Sequence, residues 1–226
     1  MSNLCIIPAR GGSKRIPRKN IKLFLGKPII SYSIKAAIEF GLFDEIIVST
    51  DDVEIAEISK KYGAKVPFLR TIKNSSDFAT TYDVIEEVLK KYKSLNIEFD
   101  NICCLYPCAP FVDSNILNKA YEFLLNYQYD SVFPIIAYNY PIQRALKFNK
   151  NKIVMINEHN INFRSQDLEK SYHDAGQFYW CNVKKILNSK KIFTKNSGGI
   201  EISELSAQDI DNEIDWKLAQ LKYKLK

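Results

Sequence analysis

Between residues 4 and 136 short apolar runs alternate with amphipathic stretches, and few folds accept that order. Residues 4–7, 45–50, 65–69, 101–105 and 131–136 are apolar runs of strand length. Residues 28–38, 52–62, 81–92 and 114–126 lie between them, with apolar residues at helical spacing, as at Ile30, Ile34, Ala37 and Ile38. Pro28 stands in the first turn of one such stretch, Gly41 lies just beyond it, and Gly63 closes the next. Strands apolar on both faces, joined through helices by short loops, predict an α/β fold built on a mostly parallel, helix-flanked sheet. Pro67 marks the 65–69 strand as an edge or a bulge. Ligands of such sheets bind beyond the carboxyl ends of the strands. That edge collects the loops 8–20, 49–52, 70–80 and 106–113.

The first of these loops is the most unusual. Pro8-Ala9-Arg10-Gly11-Gly12-Ser13-Lys14-Arg15-Ile16-Pro17-Arg18-Lys19-Asn20 leaves a strand with a glycine pair and five cations. Glycine lets backbone N–H groups approach an anion, and Arg10, Lys14, Arg15, Arg18 and Lys19 can neutralise phosphate oxygens. A solvated basic loop is the plainer reading, but the charge is not spread over the chain. Residues 1–38 hold eight Lys/Arg and no acid, whereas the whole chain of 226 residues carries only +6. The pattern predicts a polyphosphate site. Neither GxxxxGK[ST] nor GxGxxG is present, which disfavours P-loop kinases and dinucleotide-dependent dehydrogenases.

The alternation stops after Tyr138. Residues 138–176 are rich in Tyr, Asn and Lys, and 144–148 with 152–156 read as a hairpin over 149–151. The chain thus reads as one domain over 1–226, with 138–176 as a small irregular β arm or lobe. A strand at 177–181, a short helix near 184–188, a strand near 199–202 and a helix over 213–221 complete it. Five cysteines without a CxxC pair, and only two histidines, argue for reduced thiols in a cytoplasmic protein and against a zinc site. The first residues lack the charge pattern of a secretion signal, and no apolar run approaches membrane-spanning length.

Three further groups carry chemistry. Asp209 and Asp211 flank one residue, so on an extended backbone both carboxylates face one way and can meet one Mg2+ with substrate phosphates. Read alone, the same stretch also fits capping of the last helix by Asp211 or Asn212. Arg70 and the run Ser75-Ser76-Asp77-Phe78-Ala79-Thr80-Thr81 join a strand end to a helix start, where anions and a base can bind. Polar groups around aromatic rings at Arg164–Leu168 and His173–Trp180 suit a carboxylated, multiply substituted sugar. His173 also fits an ordinary structural histidine, and Cys108 has no nearby partner that would make it a nucleophile.

The loop IPARGGSKRIPRKN resembles the nucleotide loop of the CMP-sugar synthetases, the cytidylyltransferases that act on nonulosonic acids and Kdo. The resemblance implies a Rossmann-like nucleotidyltransferase fold, CTP as substrate and Mg2+ as cofactor. It implies that Ala9, Arg10, Gly11, Gly12, Ser13 and Asn20 bind the nucleotide together with Arg70, Asp77 and Thr80. Arg10, Lys14 and Lys19 would act on the triphosphate, and Asp209 and Asp211 would hold the metal. In the family, an arm like 138–176 reaches across a homodimer. Tyr106-Pro107-Cys108-Ala109-Pro110 resembles the family's L-x-P-[TS]-[SA]-P loop, with Tyr106 where sialic-acid enzymes carry Gln. RSQDL and YHDAGQFYW lack the Pro-Asn-Gly of sialic-acid enzymes and resemble the members that act on pseudaminic acid. On that reading Tyr106, Arg164, Gln166, His173, Asp174, Gln177 and Tyr179 touch the sugar. The expectation is CMP transfer from CTP to pseudaminic acid, with sialic acid or Kdo as the alternative sugar. A non-catalytic nucleotide- or RNA-binding protein is the remote alternative; it predicts cations spread over a face, and neither nucleic acid nor membrane is expected as a partner.

Overall fold

The computed structural model describes residues 1–225. Its main sheet holds β1 (Asn3–Pro8), β2 (Glu45–Ser49), β3 (Asn101–Leu105), β4 (Ser131–Ala137), β7 (Tyr172–Asp174), β8 (Phe178–Asn182) and β9 (Ser197–Glu201). A hairpin of β5 (Leu146–Asn149) and β6 (Lys152–Met155) stands apart from it. The helices are α1 (Ile30–Phe40), α2 (Val53–Lys61), α3 (Thr81–Ser94), α4 (Ser114–Asn126), α5 (Val183–Ser189) and α6 (Glu213–Lys224).

The order across the sheet is β9-β4-β8-β3-β1-β2, with β7 also on β4. Strand β1 runs parallel to β2 and β3, and β9 parallel to β4. Only β8 and β7 run against their neighbours. Side chains on β1 and β3 alternate between two layers. Cys5, Ile7, Cys103 and Leu105 pack with α1 and α4, while Leu4, Ile6, Ile102 and Cys104 pack with α3 and α5. Burial on both faces explains why these strands read as unbroken apolar runs, and adjacent Cys103 and Cys104 do face opposite ways. Trp180 of β8 is wholly buried between Phe40, Phe43 and Tyr121, with its indole N–H donating to Leu117 O at 3.1 Å. A third cluster joins Trp216 and Ala219 of α6 to Ile16, Phe24, Ile29, Phe111 and Ile210. That contact brings the end of the chain against the basic loop.

Several boundaries differ from the sequence reading. The 65–69 strand is a single bridge: Lys65 pairs with Ile47, and Pro67, lacking an N–H, cannot extend the ladder. Helix α1 starts at Ile30, because Lys27–Pro28 folds back on Leu23–Phe24 over Leu25 and Gly26, both at positive φ. The hairpin reverses over Lys150 and Asn151, with φ of 46° and 62°, a two-residue turn. Strand β7 was not foreseen. It runs beside β4 on the edge β8 also uses, and the register slips over Ala175, Gly176 (φ +64°) and Gln177. Most of 138–176 is open to solvent, including Tyr140 at 86% and Phe148 at 72%.

Candidate active site

The 9–20 loop is held by carboxylates of the next strand's loop. Ala9 is buried and donates its N–H to Ser49 O. Gly11 donates its N–H to Asp51 Oδ1 at 2.9 Å, and a Cβ there would come within 2.6 Å of Asp52 Oδ2, so a larger residue would push the Asp52 side chain out of place. Gly12 is open, with nothing within 4 Å of an added Cβ. Ala9 and Gly11 therefore shape the loop, and none of Ala9, Gly11 and Gly12 lines the cavity beside it. Arg18 adopts a left-handed backbone and turns its guanidinium to Asp52 and Glu54, away from that cavity.

The other four cations of the loop line a cavity of about 650 Å3, together with Ser13, Asn20, Arg70, Asp77, Thr80, Tyr106, Cys108, Asp209 and Asp211. Arg10 Nη1 lies 2.7 Å from Asp77 Oδ1, and Lys14 Nζ 2.5 Å from Asp77 Oδ2. Lys14 and then Arg10 hold the Asp77 carboxyl below its usual range. Lys19 donates to Ile210 O at 2.7 Å, the peptide between the two aspartates. Asn20 is buried; its Nδ2 donates to Arg10 O at 2.9 Å, and its Oδ1 accepts from the Cys108 thiol at 3.4 Å. Burial pushes that thiol up to about 12, which removes the thiolate a nucleophile needs. Arg70 is buried in the cavity wall, with Nε donating to Ser49 Oγ at 3.0 Å, and its desolvation lowers its pKa. Thr80 and Asp83 form a capping box at the start of α3.

Asp209 and Asp211 face these cations. Asp211 Oδ1 pairs with Arg15 Nη2 at 2.6 Å. The Asp209 carboxylate has no hydrogen bond or ion pair among the described residues; partial desolvation, followed by the charge of Asp211, raises its pKa. Capping of α6 falls instead to Asn212 and Asp215, which form a capping box. An orphaned carboxylate beside a second one, both opening onto a cation-lined cavity, is a donor set that fits a divalent ion. The segment carrying the pair is pinned from behind, where Lys222 donates to Glu204 O and Ala207 O at 3.0 Å each.

Thr81 and Tyr106 also line a second cavity of about 520 Å3, with Phe133, Ile135, Tyr172, His173, Asp174, Tyr179, Ile192 and Phe193. Tyr106 meets Thr81 Oγ1 at 3.0 Å and lies edge-on to Tyr179 at 5.6 Å. Asp174 Oδ1 accepts from Gly176 N–H at 2.8 Å, and its Oδ2 accepts from the Tyr179 hydroxyl. Burial first, and then Tyr106 and Asp174, keep the Tyr179 phenol protonated well above its usual range. His173 Nδ1 lies 2.9 Å from Asp174 O, with its ring against Tyr138.

Three residues expected at the sugar lie elsewhere. Arg164 forks onto Asp167 of its own turn at 2.7 and 3.0 Å, and both it and Gln166 are exposed on the arm, lining neither cavity. Gln177 is buried and donates to Ser206 O at 2.7 Å, because the register slip turns it toward the 203–209 segment. The apolar wall of Phe133, Ile135, Ile192 and Phe193 went unnoticed in the sequence. Ordinary apolar residues give no chemical signal until the fold gathers them.

The family model described as Cytidylyltransferase matches residues 4–225. The chain belongs to this cytidylyltransferase family. It is 46% identical over 226 residues to a pseudaminic acid cytidylyltransferase of Campylobacter jejuni, covering 100% of this chain and 97% of that protein. A CMP-N,N'-diacetyllegionaminic acid synthase of Legionella pneumophila is 30% identical, with 97% of this chain and 95% of that protein covered. The fold matches a solved CMP:2-keto-3-deoxy-manno-octonic acid synthetase complexed with CTP at a TM-score of 0.74 and 16% identity, over 100% and 99% of the two chains. The helix-flanked, mostly parallel sheet expected from the sequence is thus a cytidylyltransferase sheet. None of the described helices is long and apolar enough to cross a membrane.

Proposed function

We propose that this cytidylyltransferase joins CMP to pseudaminic acid, using CTP and releasing pyrophosphate. The observation that carries the reading is the shared wall. Thr81 and Tyr106 border both a cation-lined cavity ending at an unpaired aspartate and a second cavity with an apolar side. Such a pair of cavities holds two substrates end to end. The 46% identity to the pseudaminic acid cytidylyltransferase of Campylobacter jejuni supports the choice of sugar.

In the proposed reaction the anomeric hydroxyl oxygen attacks the α-phosphorus in line. A new P–O bond forms as the bond to the β-phosphate oxygen breaks, that oxygen carries the electron pair away with pyrophosphate, and the hydroxyl proton is released to solvent water. Arg10, Lys14 and Arg15 neutralise the triphosphate, which requires Arg10 and Lys14 to exchange Asp77, and Arg15 to exchange Asp211, for phosphate oxygens. Lys19 holds the Ile210 peptide and so fixes the spacing of the aspartates. Asp209 and Asp211 would hold a divalent cation, Mg2+ by their oxygen donors, whose chemistry is charge neutralisation and acidification of the attacking hydroxyl. Asp174, braced by Gly176 and Tyr179, presents a fixed polar edge to the sugar. Positioning and charge stabilisation do the catalytic work.

The buried Arg70 and Asn20 motivate a cytosine pocket, so CTP should outperform UTP, GTP and ATP in pyrophosphate release. Equal turnover with UTP would count against the assignment.

We also place the enzyme in the cytoplasm, where its five unpaired cysteines stay reduced, and as a homodimer. A two-stranded hairpin carrying exposed Phe148, Ile153 and Leu146 has little stability alone and gains a partner by crossing to a second copy. Light scattering should give twice the chain mass. A monomer fully active at nanomolar concentration would rule the dimer out.

A further inference from the structure

The wall of the nucleotide cavity formed by residues 71–80 has no apolar anchor. None of these ten residues is buried, and its two large apolar side chains, Ile72 and Phe78, are 92% and 93% exposed. Polar contacts alone hold it, although Asn74, Ser76, Asp77, Ala79 and Thr80 all face the cavity. Its ends are fixed, by Arg70 N–H donating to Thr50 O at 2.7 Å and by the capping box at Thr80. Between them two carboxylates act. Asp77 ties the tip of the segment to Arg10 and Lys14. Glu87, two turns into α3, ties its root. Glu87 Oε1 accepts from Thr71 N–H at 2.9 Å, and Oε2 accepts from Thr71 Oγ1 at 2.7 Å and Asn74 Nδ2 at 2.5 Å. Lys91 Nζ lies 2.8 Å from Oε1.

We infer that Glu87, which lines neither substrate cavity, is a positioning residue for the nucleotide, acting through Thr71 and Asn74. The inference rests on the proposed reading of the first cavity as the CTP site. On that reading the two ties differ in fate. The triphosphate takes Arg10 and Lys14 from Asp77, so the tip is released when the nucleotide enters. The root tie uses no group that the nucleotide needs, and it is then the hold that keeps Asn74 and the residues after it against the ligand. Burial alone would raise the Glu87 pKa, but its hydrogen bonds from Lys91, Thr71 and Asn74 outweigh that and lower it to about 2. The carboxylate therefore stays charged under any working condition, with donors on both oxygens.

The test compares the unaltered full chain with Glu87→Gln, Glu87→Ala, Thr71→Val and the double variant Glu87→Gln/Thr71→Val. Glutamine keeps the shape but turns an amide donor toward donors already present. The KM for CTP should rise roughly tenfold in Glu87→Gln, the scale of losing one charge-assisted hydrogen bond. Turnover number and the KM for the sugar should stay within about twofold. The double variant should lose less than the product of the single losses, because both changes break the same tie. An unchanged KM for CTP overturns the inference, as do multiplicative losses in the double variant. A lowered melting temperature with all kinetic constants impaired together assigns Glu87 to folding alone and overturns it too. If the unaltered protein binds no CTP by calorimetry, the nucleotide reading falls and this one with it. Intact CTP binding that the variants leave unmoved overturns this inference alone.

Discussion

Asp209→Asn is expected to lower turnover by at least ~10^2-fold, the scale of removing one preorganised charge from a transition-state site, while leaving the melting temperature unchanged or slightly raised. The two halves of this result have one cause. The Asp209 carboxylate has no hydrogen bond or ion pair among the described residues, and partial desolvation and Asp211 both disfavour its charge. A carboxyl whose folded pKa is raised contributes stability only while protonated, and that contribution is lost as pH rises through the raised value. At neutral pH its charge therefore works against the fold, and asparagine relieves that. Asp211→Asn should behave differently. It releases Arg15 from an exposed ion pair worth little, so stability should move by a degree or so, while turnover and its Mg2+ dependence again fall. Pyrophosphate release across a Mg2+ titration, with calorimetric melting of the same samples, measures both. Normal activity in both variants would return the pair to a local structural role.

The unaltered enzyme should prefer pseudaminic acid to N-acetylneuraminic acid by up to ~10^4 in kcat/KM, because a site built to hydrogen-bond given groups rejects analogues that leave them unpaired. The two acids share a carboxylate and an anomeric hydroxyl, so the cation loop and the aspartate pair cannot separate them. Separation falls to the second cavity, where Asp174 is locked by Gly176 and Tyr179, and Tyr106 lies edge-on to Tyr179. Asp174→Asn removes that charge with the shape kept and should lower efficiency with pseudaminic acid while CTP binding stays nearly intact; replacing Asp174-Ala175 by Pro-Asn should also cost stability, because Ala175 is buried and Asp174 pairs with Ile135. Gln177→Ala should instead lower stability, since its amide holds Ser206 O. Direct competition between the two sugars decides the matter; a preference for N-acetylneuraminic acid would overturn the sugar while leaving cytidylyltransfer standing.

What could be read from the sequence follows physical lines. The strands 4–7 and 102–105 were plain because both their faces are covered, which leaves no polar residue to blur them. The loop cations were plain because no acid dilutes them. Strand β7 was illegible: three exposed residues, Tyr172, His173 and Asp174, have no alternation, and only the free edge of β4 makes them a strand. Gln177 was misplaced for the same reason. A register slip of a few residues decides which way a side chain points, and no local composition encodes it. Arg164 read as a sugar ligand; within one copy its guanidinium forks onto Asp167, three residues away. Glu87 had no signal at all. An acid in mid-helix is ordinary until the loop it holds comes into view.

Strand β8 runs against both of its neighbours and, among the described residues, is the only strand joining the β2-β1-β3 half of the sheet to the β4-β9 half. It lies after the whole 138–176 excursion, so a chain emerging from the ribosome makes both flanking strands long before the piece that joins them. Until residue 178 arrives, β3 and β4 each have an open edge, the kind of surface that pairs with strangers. The two walls of the active site belong to opposite sides of that gap. Closure of the sheet therefore comes first, and the catalytic centre is complete only when Asp209 and Asp211 follow; a nascent or truncated chain ending before Phe178 has neither.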